Sequence, residues 1–294
     1  MRPASLLLIL AAAFLHAAAN ALMKQARDKL AYTWWMLGAS SVLGLPLLLT
    51  GLPGEAVGWA LVIVSGLLEA IYFASLSRAY SLGDLSQVYP LARGSAPLFI
   101  VIWAALFLGE RPSLAGVCGV LTIVVGLYLI NLPSLAAWIR PLSGANPRAQ
   151  RWALLTGLFI SAYATVDKVG VRYVKPGPYL ILILAVAWLT LAVQLFNAAR
   201  RQAIVNEVCA PKQGPATWQR LRIVLGAVCG TVGYLLVLLA LQLSPVSYIG
   251  AVREISVVIG AWIGVRWFAE PAGPVRLIAS VLIFLGILLI ALAG

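Results

Sequence analysis

Two arginines stand where an apolar chain has least use for charge. Arg93 lies in VYPLARGSAPLF and Arg253 in YIGAVREISVVIG, each inside a long hydrophobic run. A guanidinium is always ionised and presents a rigid fork of N–H donors that matches a carboxylate or phosphate. Pro90 and Pro97 flank Arg93. Each proline removes a backbone donor, and the freed carbonyls can line a polar cavity. Few other polar side chains share such surroundings. They are His16 and Asn20, Glu69 and Tyr72, Gln87 and Tyr89, Asp167, Tyr234, Tyr248 and Glu254. His16 and Asn20 are four apart and share a helix face, as do Tyr89 and Arg93. The chemistry this set can do is recognition of a small anionic or polar group at a cavity wall.

Each of these residues also has a structural reading. Arg93 can pair with Glu69, and Arg253 with an acid, leaving the arginines as ion-pair or gating groups. Glu254 is a poor direct partner for Arg253, because adjacent helical residues do not face each other. Glu69 reads as a salt-bridge or gate residue, with proton coupling as the alternative, since burial and a nearby arginine act on a carboxyl in opposite directions. His16 is a substrate ligand or an interhelical hydrogen-bonding group. Tyr72, Tyr89 and Tyr248 either line a pocket or pack. Glu110 and Glu270 stand at run ends and are expected to hold the start of the next helix through its free N–H groups. Gly116, Gly119, Gly126 and Gly286 read as close-packing positions.

Several chemistries are excluded or disfavoured. One histidine rules out a multi-histidine metal site within the chain, and Cys118, Cys209 and Cys229 show neither metal-ligand spacing nor a disulfide framework. No cofactor is expected. A phosphate-binding GxxxxGK[ST] loop is absent, so any work the protein does must draw on a gradient or on exchange.

The elements that position these residues follow from composition. The 294 residues are 62% hydrophobic and 10% charged, where soluble domains are near half apolar and a quarter charged. The solvent is therefore a bilayer. Ten runs are long enough to span it: 4–23, 34–52, 57–80, 85–108, 113–132, 152–172, 178–198, 221–242, 246–268 and 274–293. Turn residues punctuate the gaps, and Trp34, Trp35, Trp59, Trp138, Trp152, Tyr179, Trp218 and Trp267 stand near run ends, as an interfacial belt would. The first run reads as a retained helix rather than a cleaved signal, because the basic residues follow it in KQARDK. The net charge of +12 sits in short gaps and reads as topology signal and lipid-headgroup contact, not nucleic-acid binding.

A shift of 160 residues places Arg93 on Arg253, Glu110 on Glu270, Gly126 on Gly286 and Ile130 on Ile290, and a shift of 144 places Lys24 on Lys168. Five helices per copy is an odd number, so the copies must be inverted relative to each other. The expected fold is an all-α membrane protein of ten transmembrane helices in two inverted five-helix repeats, a common plan of secondary transporters. The expected division is 1–132, a basic inter-repeat loop 133–151, and 152–294. If gaps alternate sides, one side holds Arg2, Arg111, Lys168, Arg172 and Lys175, and the other holds fourteen Lys and Arg. Positive-inside bias then puts both termini outside.

The stretch YPLARGSAPLFIVIWAALFLGERPSLAGVCGVLTIVVGLYLI, with SPVSYIGAVREISVVIGAWIGVRWFAEP in the second copy, resembles the EamA-type branch of the drug/metabolite transporter superfamily. A narrower likeness, carried by HAAANALMK and GDLSQVYPLARG, is to a subgroup found with phosphonate-utilisation genes. The resemblance implies export or exchange of a small polar metabolite, anionic if the arginines bind it, in the bacterial cytoplasmic membrane. It also implies cytoplasmic termini, against the charge count. A lipid translocase of the same fold, a membrane enzyme on lipid-linked substrates and an accessory subunit are the competing readings. The enzyme lacks a nucleophile, acid–base or metal constellation. Expected partners are a small-molecule substrate and membrane lipids, with the chain a monomer or homodimer. The charge count predicts that a C-terminal alkaline phosphatase fusion is active and a green fluorescent fusion there is dark; the reverse pair of results favours cytoplasmic termini.

Overall fold

The computed structural model describes residues 2–82, 85–129, 146–209, 216–256, 258–259 and 274–293. Among these it is built of helices without strands. In hydrocarbon this is dictated, because a spanning segment must satisfy its own backbone N–H and C=O groups. The first copy holds α1 (Pro3–Lys24), α2 (Lys29–Leu43), α3 (Ala56–Leu82), α4 (Leu85–Leu108) and α5 (Leu114–Leu129). The second holds α6 (Pro147–Tyr173), α7 (Pro176–Leu191), α8 (Ala198–Cys209), α9 (Ala216–Leu243), α10 (Val246–Arg253) and α11 (Pro274–Ala293). The second helix of each copy ends in a tighter 3-10 segment, Leu45–Thr50 after α2 and Ala192–Phe196 after α7. Six described helices are long and apolar enough to cross a membrane, and α5 and α11 are shorter apolar helices. Leu49 and Phe196 are 89% and 93% exposed, as lipid-facing side chains are.

The sequence reading needs two changes here. The gap left between the seventh and eighth runs, 199–220, contains the helix α8. Asn197 caps it by accepting from the Arg200 amide at 3.1 Å, and Ile204 and Glu207 form its buried face. Twelve residues rise about 18 Å, too short to span. The ninth span is interrupted. The Glu254 amide bonds back to the Ala251 carbonyl at 3.1 Å, a three-residue return that ends α10.

The two copies pack as a pseudo-two-fold pair. Exchanging α1 with α6, α2 with α7, α3 with α9, α4 with α10 and α5 with α11 maps one set of contacts onto the other. Thus α3 packs on α6 as α1 does on α9, α3 on α7 as α2 does on α9, and α4 on α6 as α1 does on α10. The axis passes through the crossing of α5 and α11. A Cβ on Gly286 would lie 2.6 Å from Ile123 Cγ1, and a Cβ on Gly126 would lie 2.6 Å from Ile283 Cγ1. Those contacts are each other's images under the 160-residue shift. Glycine is needed there because no other residue lets the two backbones approach so closely.

Contacts between turns join gaps assigned to the same side of the membrane. Lys175 Nζ, after α6, donates to the Thr50 carbonyl after α2 at 2.9 Å. Asn146, before α6, donates to the Leu82 carbonyl at the end of α3 at 3.1 Å. Glu110, after α4, accepts from the Val246 amide at 2.8 Å and from the Ser247 hydroxyl at 2.7 Å. Glu110 therefore holds the start of α10 in the other copy rather than the start of the helix that follows it; Glu270 lies outside the described residues. Lys168 Nζ donates to the carbonyls of Leu241 and Ser244, neutralising the negative end of α9.

Gly119→Leu and Gly286→Leu should each cost about 1–3 kcal/mol by overpacking the α5–α11 crossing. Gly54→Ala, which meets no atom within 4 Å, should leave stability unchanged. Thermal unfolding in detergent, read by intrinsic fluorescence, makes the comparison; equal melting temperatures for all three would contradict the crossing.

Candidate functional site

Where the two copies meet, the helices enclose a chamber of about 130 Å³. Residues at helical spacing supply its walls. His16 and Asn20 share a face of α1, Glu69, Tyr72 and Phe73 a face of α3, and Thr231 and Tyr234 a face of α9. Arg93 reaches in from α4, Tyr163 from α6 and Arg253 from α10. Aromatic rings form a collar: Tyr163 stands 5.8 Å from Tyr72 and 6.1 Å from Tyr234, and His16 6.3 Å from Tyr234.

Charge is organised around Glu254. Its Oε2 lies 3.2 Å from Arg93 Nε, and its Oε1 lies 3.9 Å from Arg253 Nε. One carboxylate thus stands between a guanidinium from each copy. The tightened backbone at Glu254 accounts for this, since a regular helix would point residues 253 and 254 apart. Glu254 and Arg253 are buried. Two guanidinium groups share the one Glu254 carboxylate at ion-pair distance, with the Glu69 carboxyl on the same chamber wall. Arg253 Nε and Nη2, both Glu254 oxygens, Glu69 Oε2, Thr231 Oγ1 and His16 Nε2 are among the buried atoms of the described residues without a hydrogen-bond partner. The chamber therefore presents donors and an acceptor not committed to the fold.

Of the residues picked out from the sequence, His16, Asn20, Glu69, Tyr72, Arg93 and Arg253 come together at this chamber, with Glu254 behind the two arginines. Arg93 meets Glu254 rather than Glu69. Tyr248 lies elsewhere: its hydroxyl accepts from the Ser113 amide at 3.2 Å, and its ring fills the space that Gly116 leaves. The side chains of Gln87 and Tyr89 lie outside the described residues.

One polar cluster went unread. Asp167 accepts hydrogen bonds from Ser65 and Tyr234, and from Tyr179 at 2.9 Å. Asp167 and Tyr234 stand out within their apolar runs, but Ser65 and Tyr179 carry no signal that would pair them with the aspartate.

The chamber has a mouth and a closed end. Asn20 is exposed, and past Met23 and Phe73 a small pocket continues to Lys29, Thr33 and Ser77. This is the side rich in Lys and Arg. Beside the mouth, α8 clamps the α1–α2 turn. Glu207 accepts from the Asp28 amide at 2.9 Å and the Arg27 amide at 3.3 Å, and Arg200 grips Asp28 with bonds of 2.7 and 3.1 Å. Burial works against the Asp28 carboxylate, but the Arg200 guanidinium and the Ala31 amide outweigh it and hold its carboxyl below the usual range. At the other end, Ser65, Asp167 and Tyr179 are fully buried.

A model of the EamA-like transporter family matches residues 3–132 and 148–292. This chain belongs to that family. It is a membrane transporter of the drug/metabolite transporter superfamily. An uncharacterised transporter from the cobO 3′ region of Sinorhizobium sp. is 35% identical over 80 residues, which are 26% of this chain and 56% of that protein's length. A crystal structure superposes with a TM-score of 0.73 at 18% identity, over 99% of this chain and 98% of that one, a likeness of fold.

In this EamA-like transporter, removing the charge of Glu254 strands two buried cations. Glu254→Gln should destabilise the protein by about 3–5 kcal/mol, and adding Arg93→Gln should recover part of the loss. A double-mutant cycle on thermal unfolding measures the coupling; strictly additive effects would contradict the pairing.

Proposed function

We propose that this EamA-like protein is a secondary active transporter that moves a small polar metabolite, bearing an anionic group, by alternating access. One observation carries the reading: arginines from both copies converge on a chamber at the copy interface, and Arg253 keeps a buried donor uncommitted. A buried ionisable residue in a membrane is costly unless it has a partner or a task. Glu254 lies within ion-pair distance of both arginines but leaves Arg253 Nη2 without an acceptor, and an anionic group can supply one. Glu69 Oε2 offers a second point of contact for a donor on the same solute.

The chamber sits at the junction where one copy can rock against the other. Two inverted bundles turning about a central site expose it first to one side and then to the other. Because the mouth lies on the Lys- and Arg-rich side, positive-inside bias makes this the cytoplasm-facing state. The solute is then taken from the cytoplasm for export or exchange across the bacterial inner membrane, and both termini lie outside.

Metabolite profiling of cells with and without the gene nominates the cargo, and counterflow of that labelled cargo in proteoliposomes tests the site. Arg93→Gln and Arg253→Gln should each abolish flux while the protein still inserts and elutes as a single species. Undiminished flux in both variants would remove the anion site.

A further inference from the structure

Asp167 is a buried carboxylate outside the chamber, and its surroundings are built for it alone. Ser65 of α3, Tyr179 of α7 and Tyr234 of α9 all donate to its two oxygens. A carboxylate can accept all three bonds without any group left over. Three other helices are thereby tied to α6 at the end of the path opposite the mouth. One of the three, α3, belongs to the other copy.

The repeat supplies a comparison. Under the 144-residue shift Asp167 falls on Met23 and Tyr179 on Trp35; under the 160-residue shift Tyr234 falls on Ala74 and Ser65 on Leu225. Met23, Ala74 and Leu225 are apolar, and the Trp35 indole N–H is spent on the Ile204 carbonyl at 2.9 Å. Met23 lines the mouth. The same place in the pseudo-symmetric pair is open and apolar in one copy, closed and hydrogen-bonded in the other.

We propose that Asp167 is a proton-binding site that latches the closed end of the transport path, with Ser65, Tyr179 and Tyr234 as its hydroxyl partners. This rests on the alternating-access reading. Hydrogen bonds to an ionised acceptor are roughly twice as strong as neutral ones. When a proton binds Asp167, all three bonds lose that assistance, and the new O–H must itself find an acceptor. The Ser65 bond joins the two copies, so its weakening loosens α3 against α6 where the far side must open. Tyr234 gives the proton its route: its hydroxyl, already bonded to Asp167, passes its own proton to the carboxylate and takes another from chamber water. Deprotonation toward the far side resets the latch, so one proton moves per cycle.

Among the described residues, the groups facing this site are few. Arg253 from α10 and Glu69 from α3 are the charged residues whose fields reach Asp167, together with the neighbouring Tyr163. Lys168, next in sequence, is turned away to the carbonyls of Leu241 and Ser244. Arg253 therefore faces both cargo and latch. An anion held by Arg253 offsets the charge that Asp167 feels, which links the two sites electrostatically.

The test needs no cargo. Val174, which ends α6, is buried, and its Cγ2 would lie 3.0 Å from a Cβ on Gly58 at the start of α3. Val174→Cys is placed in a chain whose Cys118, Cys209 and Cys229 are serine, and a membrane-impermeant maleimide is applied from that side. Each rate is divided by that of the denatured protein at the same pH, because only the thiolate reacts. Between about pH 8 and about pH 5, a window into which full burial can bring a carboxyl, the normalised rate should rise about tenfold. Asp167→Asn should react at the fast rate at both pH values. A rate that ignores pH, or an Asp167→Asn variant as slow as its parent, would overturn the proposal.

Should Asp167→Asn fail to fold, infrared difference spectra of the parent protein serve instead. Acid should raise a protonated-carboxyl C=O band that shifts in Tyr234→Phe, and a band that does not shift overturns the proposal. Loss of flux in Arg93→Gln bears on the cargo site alone, whereas Arg253 touches both sites. Labelling that ignores pH bears on the latch alone.

Discussion

One carboxylate between two guanidinium groups, in a setting with little water, is the constraint around which this protein is arranged. Glu254 lies 3.2 Å from Arg93 and 3.9 Å from Arg253. Separating such charges in a low-dielectric interior costs more than any surface pair would. The copies are therefore tied at their shared axis by a contact that is strong and yet incomplete, since Arg253 Nη2 is left without an acceptor. Strength keeps the halves registered. The open donor makes the junction a place where an anionic group is welcome.

Around this point the fold is nearly symmetric, and its departures from symmetry coincide with its working parts. The α5–α11 crossing is symmetric down to Gly126 with Ile283 and Gly286 with Ile123. Glu254, by contrast, falls on Gly94 under the 160-residue shift, and α4 runs unbroken where α10 stops. Asp167 falls on Met23. An inverted pair with perfect symmetry would be equally disposed to open on either side. Unequal residues at equivalent places set which end is open and what holds the other shut.

Much of this was legible in the residues themselves. Apolar run length gave the spans, because a bilayer demands about 20 apolar residues per helix. The coincidences Arg93 with Arg253 and Gly126 with Gly286 carried the repeat and its inversion, and the cost of charge in lipid singled out most of the chamber wall. What escaped depends on contacts between distant parts of the chain. Glu110 serves a helix in the other copy, which no local pattern encodes. Glu254 reaches Arg93 only because α10 tightens after Arg253, and periodicity assumes a regular helix. The helix α8 hid in a polar gap, since one turn's worth of buried face, Ile204 and Glu207, is too short a signal. Asp167 was visible, but its partners Ser65 and Tyr179 were not.

The central claim is that the two copies enclose a shared polar chamber and place one arginine each on Glu254 beside it. Cryo-electron microscopy of the protein in a lipid nanodisc tests this most directly. The account predicts density joining Arg93 and Arg253 to Glu254, next to a hydrated cavity that reaches the Lys- and Arg-rich side past Asn20. Arginines directed at acyl chains, or held apart by packed apolar side chains with no cavity between the copies, would contradict it.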